Sequence, residues 1–155
     1  MLSILRSLYF ISSRLGVNAF SATTFVSLAS LDILSAYPAQ AQAYIEEIRP
    51  KQLGHIPKHP LDRCLDLCFL NTAEHLTLVI PPHMSDELLV AAAIPYLTSD
   101  GTSSLREMFE AAHSVMLAVF SAPQNAELTI KTVPFYIDAL FQVCTPPQKP
   151  TASIY

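Results

Sequence analysis

Glycine and charged residues are scarce in this chain. Only three of the 155 residues are glycine, so there is little material for tight hairpin turns or for the glycine-rich loops that hold phosphate groups. Charged residues make up 14% of the chain, and its net charge of −4 offers no basic surface to a phosphate backbone. We therefore predict an architecture without hairpins and no nucleic-acid partner.

Catalytic motifs are missing from the sequence as well. The chain contains no Gly-x-Ser-x-Gly elbow, no His-Glu-x-x-His pair, no Gly-x-Gly-x-x-Gly loop and no Walker loop. Its three cysteines, an odd number without a paired framework, indicate reduced thiols in an intracellular protein. We predict no catalytic residues, no bound metal, no cofactor and no enzyme activity.

Apolar residues and prolines are abundant instead. Hydrophobic residues make up 51% of the chain, which is long enough to bury a core, and twelve prolines divide it at intervals that suit helix ends. Apolar residues recur at spacings of three and four between those prolines. This periodicity predicts helices over residues 38–50, 61–80, 85–95, 104–121 and 126–143, with Ser85 as a helix cap and a bend or end at Pro95 and Pro134.

These elements predict an all-α fold, either a helical bundle or a short α-solenoid-like array of five to six helices joined by proline-bearing loops. The sequence shows no internal repeat at a fixed period, which favours the bundle. We predict three segments: an apolar, acid-free helical segment at 1–35, a helical domain at 36–143, and a disordered, proline-rich tail at 144–155.

The first segment admits three interpretations. It contains Arg6, Arg14 and many serines, with no acidic residue before Asp32, and that composition is typical of a mitochondrial presequence. Residues 15–31 carry no charge, so they could also form a membrane-associating helix or an ordinary buried helix. The sequence leaves all three open.

Glu110 and His113 have the Glu-x-x-His spacing of helical di-iron proteins. Such a site needs two copies of the motif and two further glutamates, all facing inward, and this chain has one copy. At 100° per residue, His113 falls about 80° and Glu110 about 140° from Leu105, which lies in the apolar stripe. We expect His113 to be a hydrogen-bonded residue at the border of the core and Glu110 to face solvent.

Two further clusters lie on the helix predicted at 61–80. Cys64 and Cys68 share one face, and we interpret them as small buried hydrophobes because a zinc site would need a second ligand pair. Asp62, Arg63 and Asp66 are close enough along the helix to interact. We predict that these three form a solvated charge cluster on its outer face.

Aromatic and aliphatic side chains gather beside helix-breaking prolines in "AAAIPYL" (91–97) and "VPFYIDALF" (133–141). Such stripes form the core or, where exposed, receive a partner helix. The candidate interaction surface that follows from this pattern consists of Phe109, Met116, Phe120, Tyr136 and Phe141.

The segment from about residue 44 to 141 resembles a known family. "HPLDRCLDLCFLNTAEHLTLVIPP", "AAIPYL", "LREMFEAAHSVMLAVFSAPQN" and "VPFYIDALF" are similar to fungal peroxins of the peroxisomal matrix-protein import machinery, of the docking-complex or intraperoxisomal type. The resemblance implies a non-enzymatic helical scaffold, associated with the peroxisomal membrane, that binds other peroxins or membrane proteins. The alternatives are a mitochondrial helical protein with a presequence and a metal-binding helical enzyme.

The two ends of the chain lie outside this resemblance. The helical pattern changes abruptly to proline-rich sequence in "VCTPPQKPTASIY", beginning at Val143. We expect this stretch to be an aberrant terminus and the chain to be a truncated member of the family.

Overall fold

A computed structural model of the protein describes residues 17–98 and 105–144, together with Ser7 and Ile11. This part of the chain is helical and contains no strand, as the sequence predicts. Its six α-helices are α1 (Val17–Ser35), α2 (Pro38–Ile48), α3 (Pro60–Leu76), α4 (the continuous stretches Pro82–Met84, Ser85–Val90 and Ala91–Leu97), α5 (Arg106–Ser121) and α6 (Ala126–Cys144).

Prolines begin several of these helices. Pro38, Pro60 and Pro82 occupy the first turn of α2, α3 and α4, and Pro123 opens a short 3₁₀ turn before α6. Proline fits at these positions because N–H groups in the first turn have no acceptor within the helix, so the lack of an N–H loses no hydrogen bond. The φ angle of proline is also already helical. The prediction that prolines mark the helix boundaries is confirmed at these positions.

Helix α4 differs from the prediction at its start. Ser85 is not a cap, because the helix already begins at Pro82 and Ser85 lies fully buried inside it. Residues Ser85–Val90 form a π-helical stretch, in which the hydrogen bonds span one more residue than in an α-helix. Pro95 lies inside α4, which continues for two residues beyond it and ends at Leu97, close to the predicted boundary. Helix α3, by contrast, ends at Leu76, before the predicted residue 80.

The helices pack in chain order. In the part of the chain that the structure describes, each substantial helix contact joins helices one or two positions apart. Helix α1 touches α2 and α3, α2 touches α3, α3 touches α4 and α5, α4 touches α5 and α6, and α5 touches α6. A solenoid is built from such contacts between neighbouring units. Of the two predicted architectures, the contact pattern therefore favours the short α-solenoid-like array.

The core is centred where α3 and α4 meet α5. Its fully buried side chains include Phe69 and Leu70 from α3, Leu89 from α4, and Val115 and Met116 from α5. Along α5, the buried residues Met108, Ala112, Val115 and Val119 recur at three- and four-residue spacings because those positions share one face of a helix.

Helix α1 is partly packed. Leu31 and Leu34 contact the core, whereas Phe25 and Ile33 are exposed. Within the described residues, no helix combines the length and hydropathy that a bilayer crossing requires. The predicted proline-rich tail was 144–155, and its first residue, Cys144, is the last residue of α6. The rest of that tail, and most of the residues on which the presequence interpretation rests, lie outside the described part of the chain.

Replacing Phe69 with alanine should destabilise the fold strongly. The substitution empties a fully buried ring site in α3, and we expect the free energy of unfolding to fall by about 3–5 kcal/mol in urea denaturation. Leu78→Ala removes an exposed side chain in the turn after α3, and its effect should stay within about 0.5 kcal/mol. Similar losses for the two variants would show that α3 does not carry the core.

Candidate interaction surface

An aromatic cluster joins α5 to α6. The rings of Phe109 and His113 on α5 meet edge to face at a centroid distance of 4.3 Å. Tyr136 of α6 lies 5.4 Å from the ring of His113 and 5.3 Å from that of Phe120, both in edge geometry. Such edge contacts add to the burial of the rings. The cluster fixes the position of α6 on α5.

His113 sits at the border of the core, as predicted. Its Nδ1 is hydrogen-bonded to the Tyr136 hydroxyl at 2.8 Å, and burial lowers the pKa of the imidazole below its usual value. Glu110 faces solvent, where the Arg106 guanidinium donates to its carboxylate at 2.9 Å. Among the described residues, no three His, Cys, Asp or Glu side chains are grouped so that they could hold a metal ion.

The five residues of the predicted interaction surface lie at different depths. Met116 is 0% exposed and Tyr136 is also buried, so both form part of the core. Phe109 and Phe120 are half-buried at the edge of the aromatic cluster. Phe141 is 67% exposed on α6. The structure therefore places three of them, Phe109, Phe120 and Tyr136, in the aromatic cluster, with Met116 in the core and Phe141 further along α6.

Helix α6 carries a larger exposed apolar face than the sequence analysis identified. Ile130 is 77% exposed, and Ile137 and Phe141 share its face because they follow at i+7 and i+11. The opposite face, with Leu128 and Ala139, is buried. Ile130 is not part of the predicted surface because it is not aromatic and lies outside the proline-bearing stretch 133–141, although its helical spacing to Phe141 was a usable signal.

One of the three residues predicted to form a solvated charge cluster on α3 does not face solvent, so the prediction is wrong for that residue. Asp66 is buried, and the Tyr96 hydroxyl of α4 donates a hydrogen bond of 2.7 Å to its carboxylate. Burial raises the pKa of Asp66, and the hydrogen bond from Tyr96 opposes that shift. Burial also raises the pKa of Tyr96, so its hydroxyl keeps its proton as the donor. Because the partner lies 30 residues away, helical spacing within α3 did not reveal it.

The other two members of that cluster stay near the surface. Asp62 accepts from the Lys51 ammonium at 2.8 Å, and the Arg63 guanidinium donates to the carbonyl oxygens of Pro57 and Lys58. A cavity of about 300 Å³ lies between the α2–α3 loop and α3, with Asp62 and Asp66 in its lining. The loop between α2 and α3 is thus tied to the first turn of α3.

The two cysteines on α3 lie in or beside the core. Cys68 is buried and Cys64 is half-buried on the face that packs inward. Their burial agrees with the interpretation as small hydrophobic side chains.

The helices α2 to α5 coincide with a known family domain. The model of the PEX8 central TPR-like domain matches residues 41–121, which is just over half of the chain. The chain belongs to this family. The array-like packing of its helices agrees with a TPR-like domain, and the resemblance to fungal peroxins is confirmed.

A curated relative extends the similarity. The chain is 31% identical over 152 aligned residues to the peroxisomal membrane protein PEX17 of Yarrowia lipolytica. The alignment covers 88% of this chain, more than the segment from 44 to 141 that carried the resemblance, and 22% of the relative. The chain thus spans about a fifth of that relative's length. No solved structure matches the chain.

Removing the Tyr96 hydroxyl should destabilise the fold, because the buried Asp66 carboxylate then loses a hydrogen-bond donor. We expect Tyr96→Phe to lower the free energy of unfolding by about 1–3 kcal/mol at neutral pH, because it leaves a buried carboxylate without that donor. Burial holds the pKa of Asp66 above its usual value of 3.8, so the loss should already shrink as the pH falls towards that value, because protonated Asp66 no longer carries the charge. Tyr37→Phe, at an exposed tyrosine, is the matched control in the same denaturation series. A loss independent of pH would contradict the assigned hydrogen bond.

His113 should make the protein less stable in acid. Its pKa is lowered in the folded state, so the unfolded chain binds more protons as pH falls below 6.5, and stability decreases with it. In denaturation between pH 7 and pH 5, His113→Asn should flatten this decrease, whereas His55→Asn at an exposed histidine should not. Equal pH dependence in the wild type and the His113 variant would rule out this contribution.

Proposed function

We propose that this protein is a non-enzymatic helical scaffold of peroxisome biogenesis and protein import. The match of residues 41–121 to the PEX8 central TPR-like domain carries the proposal, because it covers most of the packed core of the array. The relative that supports it bears the name of a peroxisomal membrane protein. The protein then acts at the peroxisome, in association with the membrane and with other peroxins.

The geometry supports binding rather than bond breaking. Helical arrays present extended surfaces to partner proteins, and this array leaves apolar side chains exposed at its last helix. Phe109, Phe120 and Phe141 supply the accessible part of the proposed interaction surface. Met116 and Tyr136 are buried, and Tyr136 joins α6 to Phe120 of α5.

The mitochondrial alternative gains no support. The family match and the relative both have peroxin names, and neither concerns a mitochondrial protein. A metal-dependent enzyme built on Glu110 and His113 would need further ligands close by, whereas the two side chains engage Arg106 and Tyr136 in the described part of the chain.

Imaging in a fungal host tests the proposal. With a fluorescent tag on the C-terminus and the N-terminus free, we expect the protein in puncta that coincide with a peroxisomal marker. Loss of the gene should leave a reporter that ends in Ser-Lys-Leu in the cytosol, because that address requires working import. Mitochondrial networks, or unchanged reporter import in the deletion strain, would contradict the proposed function. A mitochondrial marker and a deletion strain carrying the restored gene are the controls.

A further inference from the structure

The loop between α2 and α3 is a basic segment of an acidic protein. Residues 49–59 contain Arg49, Lys51 and Lys58, two histidines and no acidic residue, whereas the whole chain has a net charge of −4. The three cationic residues are all exposed to solvent. An anionic group that approaches this loop therefore meets several positive charges at once.

These cations surround the cavity between the loop and α3. The lining of this cavity of about 300 Å³ includes all three of them together with His59. The less exposed part of the lining holds two carboxylates and four apolar residues, which are Ile48, Pro50, Pro57 and Leu65. A concave, mainly apolar interior with a few charged groups at its edge is typical of a ligand pocket.

Contacts with α3 hold the loop in place. The Arg63 guanidinium donates to the carbonyl oxygens of Pro57 at 3.2 Å and Lys58 at 2.9 Å. Gly54 turns the loop at a φ of +79°, a conformation that residues with a side chain rarely adopt. A cavity that is formed in advance loses little conformational freedom when a ligand binds.

Both carboxylates in the lining already have donors. Asp62 accepts from the Lys51 ammonium at 2.8 Å, and Asp66 accepts from the Tyr96 hydroxyl at 2.7 Å. Their negative charge is therefore balanced or hydrogen-bonded within the protein, and Lys51 is engaged in doing so.

The other two cations remain open to a ligand. The Arg49 guanidinium lies 3.5 Å from the Glu46 carboxylate, and both side chains are about half exposed, so this pair contributes little. Lys58 forms no ion pair with any residue that the structure describes. A ligand carboxylate can thus engage both without breaking a strong contact.

We propose that this cavity binds a short acidic segment of a partner protein, in which an apolar side chain enters the cavity and neighbouring carboxylates pair with Arg49 and Lys58. His59 supplies a further donor, because its Nδ1 accepts from the Leu61 N–H at 3.2 Å and its ring proton then lies on Nε2. Nucleic acids are held through a longer row of phosphate contacts than these few cations provide. This partner chemistry deepens the proposed function and rests on it, because it assigns the scaffold a class of ligand.

Three fluorescein-labelled peptides test the proposal on the full chain. The first has a leucine flanked on each side by two glutamates, the second has glutamines in place of the glutamates, and the third has alanine in place of the leucine. By fluorescence anisotropy, the first should bind about tenfold more tightly than the second, because it offers carboxylates to the two cations. The third should bind more weakly than the first because it leaves the cavity unfilled. Added salt should weaken the glutamate complexes.

Charge variants connect the binding to the cavity. Arg49→Glu/Lys58→Glu should weaken binding of the first peptide by about tenfold or more, because it reverses both charges. Arg106→Glu reverses a cation on α5 whose side chain is 74% exposed, and it should leave the binding unchanged. Circular dichroism checks that each variant stays helical. If the glutamate pair unfolds the chain, Arg49→Gln/Lys58→Gln replaces it.

Several results would overturn the proposal. They are an absence of binding at the highest soluble protein concentration, equal binding of the glutamate and glutamine peptides, or unchanged binding by the double variant. Displacement of the peptide by inorganic phosphate at a lower concentration than by the unlabelled peptide would identify a phosphate group as the ligand instead. Preferential sedimentation with phosphatidylserine vesicles would identify a lipid surface. Any of these results in a protein that still localises to peroxisomes would leave the import role standing.

Discussion

The buried stripe of α5 is the contact on which the rest of the fold depends. Met108, Ala112, Val115, Met116 and Val119 form one face, and this face is closed by the core residues of α3 and α4. Alanine within the stripe lets a neighbouring helix approach closely, and the larger side chains fill the space beside it. Because α6 also packs on α5, through the aromatic cluster, a displacement of α5 would disturb three neighbouring helices.

The apolar composition explains why this small array has exposed apolar side chains. A chain with 51% hydrophobic residues has more apolar side chains than one core of this size encloses, and the remainder lie mainly on α1 and α6. The family match ends at residue 121, the last residue of α5, and therefore leaves out α6. The matched region provides most of the core, and the helices at its two ends carry the open apolar faces.

Much of the fold followed from local sequence patterns, and the failures have physical reasons. Proline positions and apolar spacing predicted the helices and the border position of His113, because both depend on residues within a few turns. The assignment of Ser85 as a cap failed because Pro82 can also begin a helix. The exposed position predicted for Asp66 failed because its partner, Tyr96, is on another helix. The exposed apolar surface could be predicted only in part from the sequence, since spacing alone does not distinguish the buried Met116 from the exposed Phe141.

The sequence by itself determined the helical class, the helix boundaries near proline, the net negative charge and the resemblance to peroxins. Each of these depends on residue type or on spacing along the chain. The tertiary structure decided the choice of an array over a bundle, the burial of Asp66 against Tyr96, and which apolar faces of α1 and α6 stay open. Those features depend on which helices meet. Contacts between helices that are distant in sequence decide this, because one helix covers the apolar face of another.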